Sequence, residues 1–135
     1  MKREIYEFCK VTSALRCWIS GKVPSVQDGN NFGVEVQAQV LEEVGAAEER
    51  MYPTLEQMGK YFISRAKLVT KVIKYPNVQD YVYSVQDFDV RTHRTIGFYL
   101  MDLRDYYAVV YDKIQKNLPR IQSPRGSNSA VHAMY

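Results

Sequence analysis

Apolar residues recur along this chain at helical spacing almost from its first residue. Over residues 4–22, Ile5, Phe8, Leu15, Trp18 and Ile19 fall on one stripe, and Gly21 and Pro24 close it. A second pattern occupies 34–75. There Leu41, Leu55, Phe62 and Val69 stand at multiples of seven, and Val44, Met51, Met58 and Val72 supply the other half of the repeat. This is an a/d seam with Glu48 and Arg65 as polar interruptions. The third pattern, 78–118, repeats Ile96, Leu103 and Val110 every seven residues, and likewise Leu100, Tyr107 and Ile114.

Proline and glycine set the punctuation. Pro53 lies inside the second pattern, where a proline removes a backbone hydrogen bond, so a kink or local break is expected near Met51 and Tyr52. Pro76 marks the turn into the third helix and Pro119 is expected to close it. Pro24 to Gly33 is the densest cluster of turn formers between helices, and reads as a structured loop. A helix of about 40 residues is about 60 Å long, so two of them must lie side by side. The fold class is all-α: an up-down bundle of long helices, three segments in this chain, with no strand signal of weight. The organisation expected is a helical bundle domain over 1–121 with an interhelical loop at 24–33, then a mobile tail over 122–135.

Composition changes this picture little. Hydrophobic residues make up 46% and charged residues 24% of 135 residues, near the globular average, so disorder is not the default. Eleven tyrosines are an excess that suggests half-buried seams or interfaces. A net charge of +3 makes no case for nucleic acid as partner. No apolar run approaches the roughly 20 residues of a membrane span. A soluble, intracellular chain is expected, with no membrane partner. Cys9 and Cys17 on one helix would be about 12 Å apart along the axis, too far for a disulfide, and both are expected to be buried thiols.

Catalytic chemistry is missing from the pattern. Gly29-Asn30-Asn31-Phe32-Gly33 lacks the lysine and hydroxyl residue of a phosphate loop. His93 and His132 are scattered, and no Cys/His cluster has zinc spacing. Asp87, Asp89, Asp102, Asp105 and Asp112 read as a solvated charged face. The chain is not expected to be an enzyme or to carry a cofactor or metal.

Asp28-Gly29-Asn30-Asn31-Phe32-Gly33, followed by Val34, Gln37 and Val40, resembles the loop and following helix of the proteasome activator REG (11S) family. So do Lys60-Tyr61-Phe62-Ile63-Ser64-Arg65-Ala66-Lys67-Leu68-Val69-Thr70-Lys71 and Lys74-Tyr75-Pro76-Asn77-Val78-Gln79-Asp80-Tyr81, most closely in its gamma-type members. Leu103-Arg104, Tyr107, Tyr111-Asp112, Lys116-Asn117, Pro124-Arg125 and Met134-Tyr135 continue the match. The chain differs in Gln27, where the family usually carries an acidic residue, and in Pro53 and Pro119, where it is usually helical.

The resemblance implies four long helices per subunit, a homoheptameric ring, and capping of the 20S proteasome α-ring without ATP. It implies that Asp28, Gly29, Asn30, Asn31, Phe32 and Gly33 form the loop that opens the gate, with Asn30 foremost. It also implies that Ala133, Met134 and Tyr135 dock in pockets between α subunits, that Lys71 and Lys74 line the ring channel near the gate, and that the compartment is the nucleus, or else the cytoplasm. With a further helix and a charged linker preceding this region in the family, the chain is expected to be a C-terminal fragment or a short isoform. Read without the resemblance, the loop is a plain interhelical turn and the tail an ordinary terminus. The alternative function is then a helical scaffold or interaction protein, or a truncated, non-activating relative.

Overall fold

The computed structural model describes residues 1–126, and within them the chain is three α-helices with no strand. Helix α1 spans Lys2–Ser20, α2 spans Phe32–Lys74 and α3 spans Gln79–Gln122. The long pair are 43 and 44 residues, each about 65 Å of rise. Polar contacts set their antiparallel register: Arg65 with Asp89, Tyr99 with Gln57, Lys113 with Glu43, and Gln37 with the Ile121 carbonyl. Charges at the helix ends match the backbone dipoles. Glu4, Glu35 and Asp80 occupy first turns, while Lys71, Lys74 and Arg120 occupy last turns.

At 19 residues, α1 is less than half as long as its partners, and this decides where the core lies. The buried residues of α2 fall between Gly33 and Thr54, and those of α3 between Leu103 and Ile121. There Ile5, Phe8 and Ile19 of α1 meet Val40, Val44 and Met51 of α2 and Leu103, Val110 and Ile121 of α3. The Tyr107 ring stands edge-on to Phe8 at 4.8 Å. One ion pair ties α1 to α2 at the edge of the core. Buried Glu48 accepts from Arg16 at 3.2 Å and from the Tyr52 hydroxyl at 3.0 Å. Both polar interruptions of the seam are therefore paired, Glu48 with Arg16 and Arg65 with Asp89.

Beyond the reach of α1 the α2–α3 hairpin is a two-helix rod, and several seam positions are exposed. Phe62 is 72% exposed and Leu100 is also exposed, while Tyr107, beside Phe8 of α1, and Trp18 on α1 itself are exposed within the three-helix half. Two helices alone shield a single line of contact, so a seven-residue repeat does not guarantee burial where the third helix is absent. Cys9 is buried as expected, and burial pushes its thiol pKa up. Cys17 is exposed, because eight residues make about 2.2 helical turns and carry it about 80° around α1, off the buried stripe.

Neither internal proline ends a helix. The backbone stays helical through Pro53, flanked by buried Met51 and Thr54, whose packing holds the turn that proline weakens. Pro119 lies inside the last turns of α3, which continue to Gln122 and finish with the Ser123 amide donating to the Pro119 carbonyl. Tertiary burial of Ile121 carries the helix past the proline. Asp89 departs from the expected solvated face. It is half-buried, accepts from the Tyr61 hydroxyl at 2.8 Å and from Arg65 at 3.0 Å, and its neighbours hold its carboxyl below the usual carboxylate range, the Tyr61 bond foremost. Asp87, Asp105 and Asp112 are surface partners of Arg91, Arg104 and Lys116, and Asp102 is exposed.

Pro53 is exposed with helical backbone, so Pro53→Ala restores a donor and raises unfolding free energy by about 1–3 kcal/mol, read by urea denaturation. A lowered native pKa at Asp89 means its contribution is complete above the unfolded value of about 3.9 and fades as pH falls through the native value. Acid titration of Asp89→Asn accordingly shows a shallower loss of stability below pH of about 4 than the parent protein.

Candidate functional site

The loop residues singled out from sequence lie at the end of the bundle that holds the core. Helix α1 terminates at Gly21, whose amide bonds back to the Cys17 carbonyl at 3.0 Å, followed by Lys22 to Ile19. Gly29 has φ of 133°, a left-handed backbone that an L side chain rarely adopts, and it turns the chain toward α2. Asn30 then accepts from the Phe32 amide through its side-chain oxygen at 3.2 Å, satisfying a free donor at the start of α2. The helix starts at Phe32, so Phe32 and Gly33 form its first turn and do not belong to the loop as expected. Asp28, Gly29, Asn30 and Asn31 remain outside it and exposed.

Gln37, one turn further on, organises this end. It is completely buried, and its Nε2 donates to the Lys22 carbonyl at 3.1 Å and the Ile121 carbonyl at 2.8 Å. One side chain thus joins the exit of α1, the start of α2 and the end of α3. Its Oε1 meets no donor among the described residues. Gln37 is part of the matched pattern, but its role depends on residues 84 positions away and is not visible in spacing.

The root of the C-terminal segment is brought to the same place. Helix α3 ends at Gln122, and the chain then runs across the first turn of α2. A Cβ added to Gly33 would lie 1.9 Å from the Pro124 carbonyl oxygen, so only glycine allows this approach. The Arg120 guanidinium covers the Phe32 ring at 4.4 Å. Arg125 donates to the Gln27 Oε1 at 3.0 Å and to the Ser25 carbonyl at 2.7 Å. Residues 123–126, which the sequence assigns to the tail, are therefore seated against the loop. An open cleft of about 460 Å³ lies between Asn30, Phe32, Gly33, Arg120 and Arg125. Ala133, Met134 and Tyr135, the residues expected to dock, lie outside the described residues.

Lys71 and Lys74 are not brought to this site. They occupy the last turn of α2, about 60 Å from Phe32 along the helix. There they face the helix's negative end, with Lys71 near the Tyr81 ring and Lys74 near the Tyr75 ring. The general rule that bases cluster at helix C-termini accounts for them. Among the described residues no group of His, Cys, Asp or Glu is arranged to hold a metal ion, and no helix is long and apolar enough to cross a membrane.

Comparison with known proteins converges on one family. The model of proteasome activator PA28, C-terminal, matches residues 1–131. The chain belongs to the PA28 proteasome activator family. It is 35% identical over 129 residues to proteasome activator complex subunit 3 of Homo sapiens, covering 96% of this chain and 51% of that protein. Proteasome activator 28 of Dictyostelium discoideum is also 35% identical over 129 residues, with 57% of its length covered. The 11S subunit of the Plasmodium falciparum proteasome, PA28, superposes with a TM-score of 0.84 at 35% identity, over 92% of this chain and 58% of that one. The chain thus spans about half the length of the relatives it matches, and its all-helical bundle is the PA28 fold.

The close approach at Gly33 yields a prediction for this PA28 chain. Gly33→Ala forces residues 123–126 away from α2 and costs about 1–3 kcal/mol by overpacking. Thermal denaturation reads the loss, and amide exchange confined to 24–33 and 123–126 locates it.

Proposed function

We propose that this chain is a subunit of an ATP-independent activator of the 20S proteasome, whose tail docks between α subunits and whose loop opens the gate. One observation carries the reading. The loop of Asp28, Gly29, Asn30 and Asn31, running into Phe32 and Gly33, and the root of the C-terminal segment emerge together at one end of the bundle. Both elements thus face the same target. Family membership supports that target being a proteasome.

The mechanism follows from two physical requirements. A chain terminus offers a carboxylate that a lysine or a backbone nest captures, and Ala133, Met134 and Tyr135 supply it. A single short tail binds weakly. A ring of seven raises the effective concentration of later tails to about the millimolar scale, so assembly supplies affinity. Exposed Phe62, Ile63, Ile73, Tyr83, Phe98, Leu100 and Met101 on the two long helices support an assembly that covers them. Docking alone does not open a gate. Opening needs a group that binds the open state better than the closed one, and Asn30 and its neighbours occupy the position to do so. The protein acts as a regulator without chemistry of its own. The nucleus is the compartment implied by the gamma-type likeness.

Separate roles for tail and loop give separate phenotypes. Seven copies of the 15.7 kDa chain form a species of about 110 kDa by native mass measurement. Deleting Tyr135 abolishes binding to 20S proteasome. Asn30→Tyr retains binding and loses stimulation of fluorogenic peptide hydrolysis. A loop variant that still stimulates removes gate opening from residues 28–33.

A further inference from the structure

The 24–31 segment has few attachments of its own. Gly29 adopts a backbone suited to turns, Val26 is fully exposed, and Asn30 bonds only to its near neighbour Phe32. Among the described residues, the side-chain hydrogen bonds that tie this segment to another element are both made by Arg125. The planar guanidinium suits the task, because it spends separate N–H groups on the Gln27 side chain and on the Ser25 carbonyl, two residues apart in the loop. Arg125 is itself placed by the Pro124 carbonyl lying across Gly33 and by α3 ending at Gln122. It stands ten residues before Tyr135, at the root of the segment proposed to dock.

We propose that Arg125 is a positioning residue that clamps the 24–31 loop to the tail root, so that the loop is held in its gate-contacting shape before it meets the proteasome. The assignment rests on the activator reading and deepens it. A loop already ordered loses less conformational freedom on contact, and more of its interaction is available to favour the open gate. Because the clamp and the tail share one short stretch of backbone, tail docking and loop placement are mechanically joined. The neutral Gln27 partner leaves the clamp adjustable in strength, since a carboxylate there would give a charge-assisted bond.

The test uses the full chain with Arg125→Ala, Arg125→Lys and Gln27→Glu. Conformational exchange of the loop in the protein alone, read by backbone NMR relaxation, reports the clamp. In Arg125→Ala, exchange at residues 24–31 rises about tenfold with no change in the α1–α2–α3 core. Arg125→Lys reverses part of that rise, and Gln27→Glu lowers exchange below the parent level. With 20S proteasome, Arg125→Ala keeps its half-saturating concentration within about threefold, while peptide hydrolysis at saturation falls at least about fivefold. A merely structural role would move both numbers or neither. Unchanged exchange at 24–31 in Arg125→Ala overturns the clamp, and raised exchange with full stimulation at saturation overturns its part in activation. If the parent protein neither binds nor stimulates the proteasome, the activator reading fails by itself, and exchange still decides the assignment of Arg125.

Discussion

A buried amide at Gln37 holds together three chain segments that have no covalent reason to meet. Its nitrogen bonds the carbonyls of Lys22 and Ile121, groups at the ends of helices that otherwise lack intrahelical donors. Burying such carbonyls without partners is costly, so the amide selects the arrangement in which α1 ends, α2 begins and α3 ends at one level. The rest of the site depends on that level. Pro124 passes over Gly33, Arg120 covers Phe32, and Arg125 reaches the loop because the end of α3 is fixed beside the start of α2.

The short first helix imposes the second constraint. Packing three helices deep is possible only where α1 exists, so the core gathers beneath the loop and the far half of the hairpin is held by single-line packing and side-chain pairs. The most deeply packed part of the molecule is the part that carries the loop and the tail root. The far half instead offers apolar side chains on its surface, which suits contact with other protein. The loop end and the exposed apolar half are thereby separated along one rod, with Lys71 and Lys74 at the end remote from the loop.

Helical periodicity was legible in the residues, and so were the three segments, their boundaries to within a few residues and the loop between the first two. The Asp28-to-Gly33 run and the Lys60-to-Tyr81 stretch were specific enough to indicate the family. Burial was less legible. Phe62 and Leu100 carry the seven-residue repeat yet are exposed, because a repeat records which face is apolar and not whether a neighbour reaches it. Pro119 misled in the other direction, and Pro53 makes no break. A local penalty of about 3 kcal/mol is absorbed when nearby residues are packed in place, Met51 and Thr54 beside Pro53 and Ile121 beyond Pro119. Asp89, grouped with surface carboxylates by sequence, is half-buried because Tyr61 and Arg65 face it from the other helix.

The sequence by itself determined the elements: periodicity, turn formers and helix-end charges are properties of residues a few positions apart, and each acts through local backbone physics. The tertiary structure alone decided what those elements bring together. Gln37 and Ile121 are 84 positions apart, and Arg125 and Ser25 are 100 apart. Hydrogen bonds of that kind follow from the lengths of whole helices and the level at which they are pinned, which no local pattern contains.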